Sequence, residues 1–491
     1  MQSRHRSNWF IVLLVSLCWF MLVCEPAQAA VVDDMVLVPR YALSALRFHK
    51  RPTVEPLRRL WDTALTPQLA TWGWQWSDMA TWAQDEGVLV QLPCATQCDA
   101  PRLLWIWHLK RPDAATAFLN QYWQDHAFDT QTYQGVPVQV GERVATATLG
   151  DRLLVATDPE AIVASLGSLR AKDTNLGGVA FYQEALAQFN DQDSLLFYAN
   201  LHPFTRENQF APAYDRLLVG VRSHNNEIHL EIALHATAAP AVASVPLPLD
   251  DLRTLGDRPT LVLAGRQLPT TYRDLLANLE TFSVATTPKG TPIVPELLRD
   301  FTLEVDLEEI IFPLATDRYT LALWRQPAGW QWWWQTRQTP ETAALLKKLD
   351  EQARSAGYDV NRLVLDTQAV TAWVKLALAA DTSEGLAAEV AAVYQQDNDT
   401  LTLASALPYL MPAKQRAPWL SDELTRQRRA IVGLAYAQWS DLYPYLAERV
   451  PLLAYLNGLT AGWLGRLQSI TWVNYGASDR LQRSEIIVTT N

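Results

Sequence analysis

The histidines that lie closest together in the sequence are the first candidates for chemistry, because imidazoles serve as metal ligands and as acid–base groups. They are His224, His229 and His235. Alternation along a predicted strand puts His229, Glu231 and His235 on one face. Strand residues rise by about 3.3 Å each, so His229 and His235 are about 20 Å apart, whereas zinc lies about 2 Å from each ligand. We therefore predict a solvated sheet face and no metal site.

Two Asp-x-Asp pairs, Asp191/Asp193 and Asp397/Asp399, precede predicted strands and are similar to half of a calcium-binding loop. Neither continues to the glycine and the further carboxylates that such a loop needs. We interpret them as turn residues whose carboxylates bond to their own backbone. The sequence also has no nucleophile elbow, zinc-binding His-Glu-x-x-His, phosphate-binding loop or dinucleotide fingerprint. We predict no catalytic residue, no cofactor and no enzyme activity.

Tryptophan is the one residue type in excess, with 20 in the chain. Two groups alternate, so that each would point to one side of an extended segment: Trp72, Trp74 and Trp76, and Trp330, Trp332 and Trp334. Indoles at this spacing could form a flat platform for a sugar, a pigment or a partner protein. Alternatively, the stripes face the core under a helix, since large aromatics dominate protein cores. Both interpretations stay open at this point.

The first 29 residues have the features of an export signal. Arg4 and Arg6 precede an apolar stretch, and Ala27-Gln28-Ala29 is a small-residue cleavage site. The apolar stretch is short for a membrane span, so we expect cleavage, with a retained membrane anchor as the alternative. The predicted location is extracytoplasmic, in a periplasm or a thylakoid lumen.

After cleavage the chain keeps two cysteines, Cys94 and Cys98. A disulfide is the usual state of neighbouring cysteines outside the cytoplasm, and here it would close the tip between two predicted strands. A reactive thiol pair is the alternative, but the spacing differs from the Cys-x-x-Cys of redox motifs.

The formal net charge of −11 limits the partners. An acidic surface repels phosphate backbones and anionic lipids, so nucleic acid is not expected as a partner. Contact with a membrane is expected only through an uncleaved N-terminal segment.

Strands that alternate in polarity dominate the rest of the chain. Residues Ile228 to His235 place a large aliphatic side chain at every second position, as in an antiparallel sheet with one buried face. A proline-initiated helix at Pro112 follows one predicted hairpin, and another at Pro340 follows a second. Helices set between hairpins favour the α+β class.

The same landmarks occur twice in the same order, which predicts a tandem duplication of a mainly antiparallel sheet packed with helices. The strand at 36–40 recurs at 262–266, and Gly150-Asp151-Arg152-Leu153-Leu154 is matched by Asn398-Asp399-Thr400-Leu401-Thr402. We predict a first α+β repeat over residues 30–235, an Ala/Pro-rich linker over 236–257 and a second α+β repeat over 258–491.

Several of these segments also carry a resemblance. Residues 149–161, the helix start at Lys110-Arg111-Pro112-Asp113-Ala114, and the segment from Trp76 to Trp82 resemble a family of exported, largely cyanobacterial proteins known only as a domain of unknown function. The resemblance implies an extracytoplasmic location and repeated β-β-α-β units. It implies no catalytic residue.

These observations together favour a protein that works by binding, as a scaffold or assembly protein for an unidentified protein partner. The alternative is a carrier that holds an apolar ligand, a lipid or a pigment, between the two repeats. An unrecognised hydrolase comes third.

Overall fold

The computed structural model describes residues 34–48, 69–93, 102–189, 195–201, 214–224, 226–238, 245–248, 252, 255, 258–269, 307–327, 329–365, 368–378, 386–410, 430–449, 457 and 462–490. Structural statements here concern these residues. The predicted export signal at 1–29, the cysteine pair Cys94 and Cys98, the acidic pair Asp191/Asp193 and part of the predicted linker lie outside them.

Strands account for most of the regular structure in the described residues. In chain order they are β1 (Ser44–Phe48), β2 (Ala83–Leu92), β3 (Arg102–Leu109), β4 (Phe128–Tyr133), β5 (Val136–Gly141), β6 (Ala145–Leu149), β7 (Arg152–Ala156), β8 (Leu195–Asn200), β9 (Tyr214–His224), β10 (Glu227–Ala236), β11 (Leu261–Arg266), β12 (Arg318–Gln326), β13 (Gly329–Arg337), β14 (Asp359–Leu365), β15 (Gln368–Leu378), β16 (Leu386–Asp397), β17 (Thr400–Ala404), β18 (Gly433–Ala437), β19 (Leu467–Ser478) and β20 (Leu481–Thr490).

The helices are fewer and mostly short. They are α1 (Trp76–Met79), α2 (Pro112–Asp125), α3 (Pro159–Ser168), α4 (Ala180–Leu186), α5 (Phe312–Leu314), α6 (Thr342–Ser355), α7 (Leu407–Leu410) and α8 (Trp439–Arg449). Single turns of 3-10 helix occur at Asp34–Leu37, Lys172–Thr174, Leu176–Gly178 and Leu464–Arg466, and a π turn occurs at Leu307–Ile311. Among the helices of the described residues, none has the length and apolar character to span a membrane.

The chain divides into two compact units. Unit 1 contains Met1–Ala243 together with Ala477–Val488, and unit 2 contains Ser244–Gly476 together with Thr489–Asn491. A short C-terminal stretch, which includes most of β20, therefore belongs to unit 1.

The sheet of unit 1 is built from neighbouring hairpins. Its strands follow the order β4-β5-β6-β7-β3-β2-β1-β8-β9-β10, and β10 also pairs with β20. Every pairing with a defined register is antiparallel. The two-residue loop between β4 and β5 consists of Gln134 and Gly135, both with positive φ, as the twist of a tight hairpin requires.

The sheet of unit 1 is covered on both faces. On one face, alternate residues of β2, β3 and β7 pack against α3 and α4 in an apolar core that includes Ile106, Leu154 and Tyr182. The opposite face carries Trp105 and Trp107, which alternate with Ile106 along β3. Both indoles are buried as well, so this strand contributes large side chains to two layers.

The sheet of unit 2 has the strand order β14-β15-β16-β17-β13-β12-β11-β18-β19. Its defined pairings are also antiparallel. Its core lies between the sheet and α6, where Leu345, Leu346 and Leu349 of the helix meet Trp334 and Trp373 of the strands. Counted from the first strand of each unit, the first nine strands of both units follow the same order.

The predicted α+β class is wrong. The structure is dominated by antiparallel sheet, and the helices are short segments packed on it. The proline at position 112 does begin a helix, and one begins two residues after Pro340. Between these helices and the next ones, however, the chain forms four consecutive strands in each unit, which extend the sheet and do not form a separate helical layer.

Candidate binding site

A buried carboxylate anchors the start of the described chain. Asp34, in a 3-10 turn, accepts hydrogen bonds from Nε2 of His108 on β3 and, at 2.7 Å, from Nε of Arg152 on β7. Only 1% of Asp34 is exposed. The three residues are far apart in sequence and meet because β3 and β7 are neighbours, with His108 opposite Arg152.

The charges in this network stabilise one another. Burial alone would raise the pKa of Asp34, but the hydrogen bonds from His108 and Arg152 outweigh it and lower the pKa below its ordinary value. The hydrogen bond to Asp34 raises the pKa of His108, against the effect of burial. The network therefore favours the ionised form of Asp34 and the protonated form of His108.

Glu86 also approaches this network, so that ligand atoms of Asp34, Glu86 and His108 lie within 4.8 Å of one another. This spacing would suit a metal ion. The Arg152 guanidinium, however, forms an ion pair with Oδ1 of Asp34 and would repel a cation at that oxygen. Both carboxylate oxygens of Asp34 are already hydrogen-bonded, so the arrangement fits an internal ion network better than a metal site.

A second buried ion network joins β10 to β20. Nδ1 of His229 donates to Oε1 of Glu485 at 2.8 Å, and its Nε2 donates to Oε2 of Glu227 at 3.3 Å. Arg222 on β9 lies 3.1 Å from the same oxygen of Glu485 and 3.8 Å from Glu231. His229 and Glu485 have no measurable exposed surface.

The partners of His229 hold it in the charged form. Burial opposes the positive charge, but the hydrogen bonds to Glu227 and Glu485 outweigh it and raise the pKa of His229 to about 9. His235, which the sequence placed on the same strand face, instead bonds through Nδ1 to Asp215 at 2.6 Å and packs against Phe181. Glu231 is 5% exposed, so the face predicted as solvated is largely buried at His229 and Glu231.

The tryptophans of the first stripe lie in an aromatic cluster of unit 1. Trp72 and Trp74 are buried, and their rings meet edge to face at 5.6 Å. Trp74 also contacts Phe118 on α2. Trp76 is half-buried against Trp107, with ring centroids 5.6 Å apart.

The second stripe lies on β13 of unit 2. Trp334 belongs to the core under α6, and Trp332 packs against the same core. Trp330 is half-buried and meets Tyr445 edge to face at 5.3 Å. Trp333, on the opposite face, is buried too. Use of either stripe as a binding platform stays a prediction, and the partly exposed members are Trp76, Trp330 and Trp332.

The acidic pair Asp397/Asp399 lies at the tight turn between β16 and β17. Asn398, between the two acids, has a φ of +21°. The backbone carbonyl of Asp399 accepts a hydrogen bond from the amide of Gln338 at 2.7 Å.

Unit 1 contains a pocket with a volume of about 470 Å³. It lies beside α3 and the C-terminal end of β2, and its walls are mostly apolar or aromatic. Its lining includes Tyr41, Leu92, Arg102, Tyr133, Val163 and Gly167.

The two charged residues that line the pocket, Arg102 and Glu160, already belong to one ion-pair network. Arg102 forms ion pairs with Asp158 at 2.8 Å and with Glu160 at 2.7 Å. Asp158 also caps α3 by accepting a hydrogen bond from the amide of Glu160. Partial burial raises the pKa of Tyr41, with opposition from Arg102, so its hydroxyl stays protonated and able to donate at neutral pH.

A sequence profile of one protein family matches residues 67–490, and the family is described as "Protein of unknown function (DUF3352)". The chain belongs to this family. The predicted resemblance to a domain of unknown function is thereby confirmed. No curated protein matches the chain.

Solved structures show only a weak likeness. Crystal form I of TP0453 aligns with a TM-score of 0.28 and 12% identity, over 43% of this chain and 82% of that chain. Crystal form III aligns with a TM-score of 0.27 and 11% identity, over 46% and 86%. The role of this DUF3352 protein must therefore be argued from its own residues.

Sequence patterns could not have located these groups. Asp34, His108 and Arg152 have no common motif, and 118 residues separate the first from the last. Glu485 approaches His229 only because β20 lies beside β10. The pocket combines Tyr41, the end of β2 and α3, which lie far apart in the sequence. The one local signal was the proline-initiated helix start at Asp158-Pro159.

Proposed function

We propose that this protein works by binding a partner and not by catalysis, with the unit 1 pocket as the binding site. The observation that carries the proposal is a preformed, mostly apolar pocket that is lined in part by the exposed Tyr41. In the same unit, the buried groups Asp34 and His229 bond to other side chains of the protein. Open apolar pockets with a few polar groups are the usual form of binding sites.

The histidines support binding over acid–base catalysis. Each histidine whose side chain the structure describes has a protein partner: Asp34 for His108, the carbonyl of Tyr122 for His126, Glu485 for His229 and Asp215 for His235. His229 is buried and has a carboxylate on both ring nitrogens, so a substrate would have to displace a partner to reach it.

The proposal includes the location of the protein outside the cytoplasm. The export signal predicted at 1–29 would place the protein in a periplasm or a thylakoid lumen. The common strand order of units 1 and 2 supports an origin by internal duplication.

A second candidate function is a carrier of an apolar ligand such as a lipid or a pigment. The observation that favours it is the pocket volume, about 470 Å³, which lies within the usual range of about 300–1,000 Å³ for small-molecule sites.

Photo-crosslinking tests the proposed site. A photoreactive amino acid replaces Val163 in the pocket of the full-length protein in its native host, and the control replaces Gln131 on the exposed strand β4. We expect an adduct at position 163 and none at 131. The same background at both positions would contradict binding at this pocket.

A further inference from the structure

Three exposed apolar or aromatic residues lie on the chain segments that line the pocket or contact its lining. Val36, Tyr41 and Leu169 are exposed by 37%, 53% and 43%. Tyr41 lines the pocket, Leu169 follows the lining residue Ser168, and the carbonyl of Val36 accepts a hydrogen bond from the Ser168 hydroxyl at 2.9 Å. We call these three residues the apolar rim.

Two backbone segments hold the rim in place. The segment 36–41 runs beside the segment 168–176, because the amide of Arg40 donates to the carbonyl of Thr174 at 3.0 Å and that of Leu176 donates to Val38 at 2.8 Å. The side chain of Asn175 donates to the carbonyl of Ser168 and accepts from the amide of Gly178. The rim is therefore part of a fixed surface.

The charge of the site selects an uncharged occupant. Arg102 already pairs with two carboxylates at the pocket wall, so an anion gains little there and would compete with Asp158 and Glu160. A cation would have to compete with Arg102 for the same two carboxylates. The other lining groups are apolar or neutral, among them Leu92, Val163 and Tyr133.

The size of the exposed surface favours a polypeptide over a small molecule as the occupant. A ligand that fills the pocket would leave Val36 and Leu169 in water, since neither lines it. An extended segment could insert one side chain and cover the rim with its neighbours. Anchor side chains in pockets, surrounded by residues that exclude water, are typical of protein interfaces.

We propose that the pocket and its apolar rim bind an extended, uncharged segment of a partner protein, which inserts one large aliphatic or aromatic side chain between α3 and Tyr41. This inference rests on the proposed binding function and names the class of its partner. The hydroxyl of the exposed residue Thr174 already donates to backbone carbonyls, so its oxygen is able to accept an amide N–H group of the segment.

Gly167 offers a matched pair of variants. A Cβ atom at Gly167 would meet Tyr133 Oη at 3.5 Å, an ordinary contact, so Gly167→Ala fits the helix without filling the pocket. Gly167→Phe puts a ring into the anchor position. At the rim, Leu169→Glu adds a charge that the segment would have to cover, and Gln131→Glu, on the exposed strand β4 outside the site, is the control for the added charge.

The experiment places the photoreactive amino acid at positions 163 and 169 of the full-length protein and maps both crosslinks by mass spectrometry. We expect both positions to label one stretch of a single protein, free of charged residues. A synthetic peptide of that stretch should bind the purified protein. Gly167→Phe and Leu169→Glu should each weaken its Kd by about tenfold or more, while Gln131→Glu keeps it within about threefold and Gly167→Ala weakens it less than Gly167→Phe.

Other outcomes separate failure of this inference from failure of the proposed function. A small-molecule adduct at 163, blocked by Gly167→Phe and unaffected by Leu169→Glu, would overturn the polypeptide partner and leave binding intact. A charged labelled stretch, or one whose peptide binds the Gly167→Phe and Leu169→Glu variants as tightly as the original protein, would also overturn it. No adduct at either position above the Gln131 control would overturn both.

Discussion

His229 and Glu485 form an ion pair without exposed surface. Two opposing energies determine whether such a pair stabilises the fold. Removing charges from water costs several kcal/mol per ion, and the attraction between them offsets this only where the geometry is good. Here each nitrogen of His229 has a carboxylate partner, and Glu485 also meets Arg222. We therefore expect the pair to specify which strands meet more than to add net stability.

The stability of unit 1 should decrease as the pH rises from about 6.5 to about 9. His229 has a pKa of about 9 in the folded protein, above the ordinary value of 6.5, so folding favours its protonated form. That contribution is complete below pH 6.5 and is lost as the pH rises through 9. Urea unfolding at several pH values measures it. The His229→Phe variant, which cannot titrate there, should show a flatter dependence.

Removing one partner of the ion pair should reduce the free energy of unfolding more than replacing both partners with apolar residues. We expect His229→Leu to destabilise unit 1 by about 3 kcal/mol, because Glu485 then keeps a buried charge with one partner fewer. The double variant His229→Leu with Glu485→Leu should recover part of this loss. Chemical denaturation of the four proteins of the cycle gives the coupling energy, and purely additive effects would show that the two side chains act independently.

At the level of the elements, two glycines of unit 1 differ in the space that is available for a Cβ atom. Gly167 on α3 has room for a Cβ atom, whereas a Cβ at Gly141, at the end of β5, would lie 2.7 Å from the Trp123 ring on α2. The close approach at Gly141 lets α2 pack on the edge of the sheet, where Trp123 donates to Thr146 at 3.3 Å.

Alanine should therefore have opposite effects at the two positions. We expect Gly167→Ala to stabilise the protein by up to about 1 kcal/mol, from the loss of glycine within a helix. Gly141→Ala should destabilise it by about 1–3 kcal/mol through overpacking. Thermal unfolding of both variants tests this. Adding Trp123→Phe to Gly141→Ala should relieve part of the clash, and no relief would point to a backbone cause.

Local elements were predictable from the sequence, and their assembly was not. Pro112 marks a helix start and Gly150-Asp151 a tight turn, because those preferences depend on neighbouring residues alone. The α+β prediction was wrong because alternation shows that a segment is a strand but not which strand it joins. The ion pair of His229 and the pocket at Tyr41 depend on contacts between distant segments, which have no local pattern.

At the level of the whole molecule, unit 1 is discontinuous in sequence. Its core includes Leu481, and Arg483 on β20 donates to the backbone carbonyl of Gln188 at 3.3 Å. The amide of Ala236 donates to the carbonyl of Arg480 at 2.7 Å. Residues on both sides of unit 2 in the sequence therefore build one core.

A chain that ends at Ser478 should lose the stability of unit 1, because it lacks Leu481 and Glu485. We expect its unfolding transition to become broad or to fall by at least about 3 kcal/mol, the cost of breaking a buried ion pair. Calorimetry of the truncated chain measures this, with a chain that ends at Val488 as the control. A peptide of residues 479–491 added in trans should restore part of the transition, and equal stability of both chains would contradict the assignment of β20.

The discontinuity of unit 1 also sets an order of events during biosynthesis. Glu485 follows His229 by 256 residues, and ribosomes add about 5–20 residues per second. The nascent chain would therefore wait roughly 10–50 seconds between the two at such rates. During that time, β10 has an uncovered edge and His229 has no Glu485. Unit 1 therefore begins to emerge first but is not complete until β20 has been made. An uncovered strand edge is able to pair with another chain, so unit 1 is exposed to aggregation during that interval.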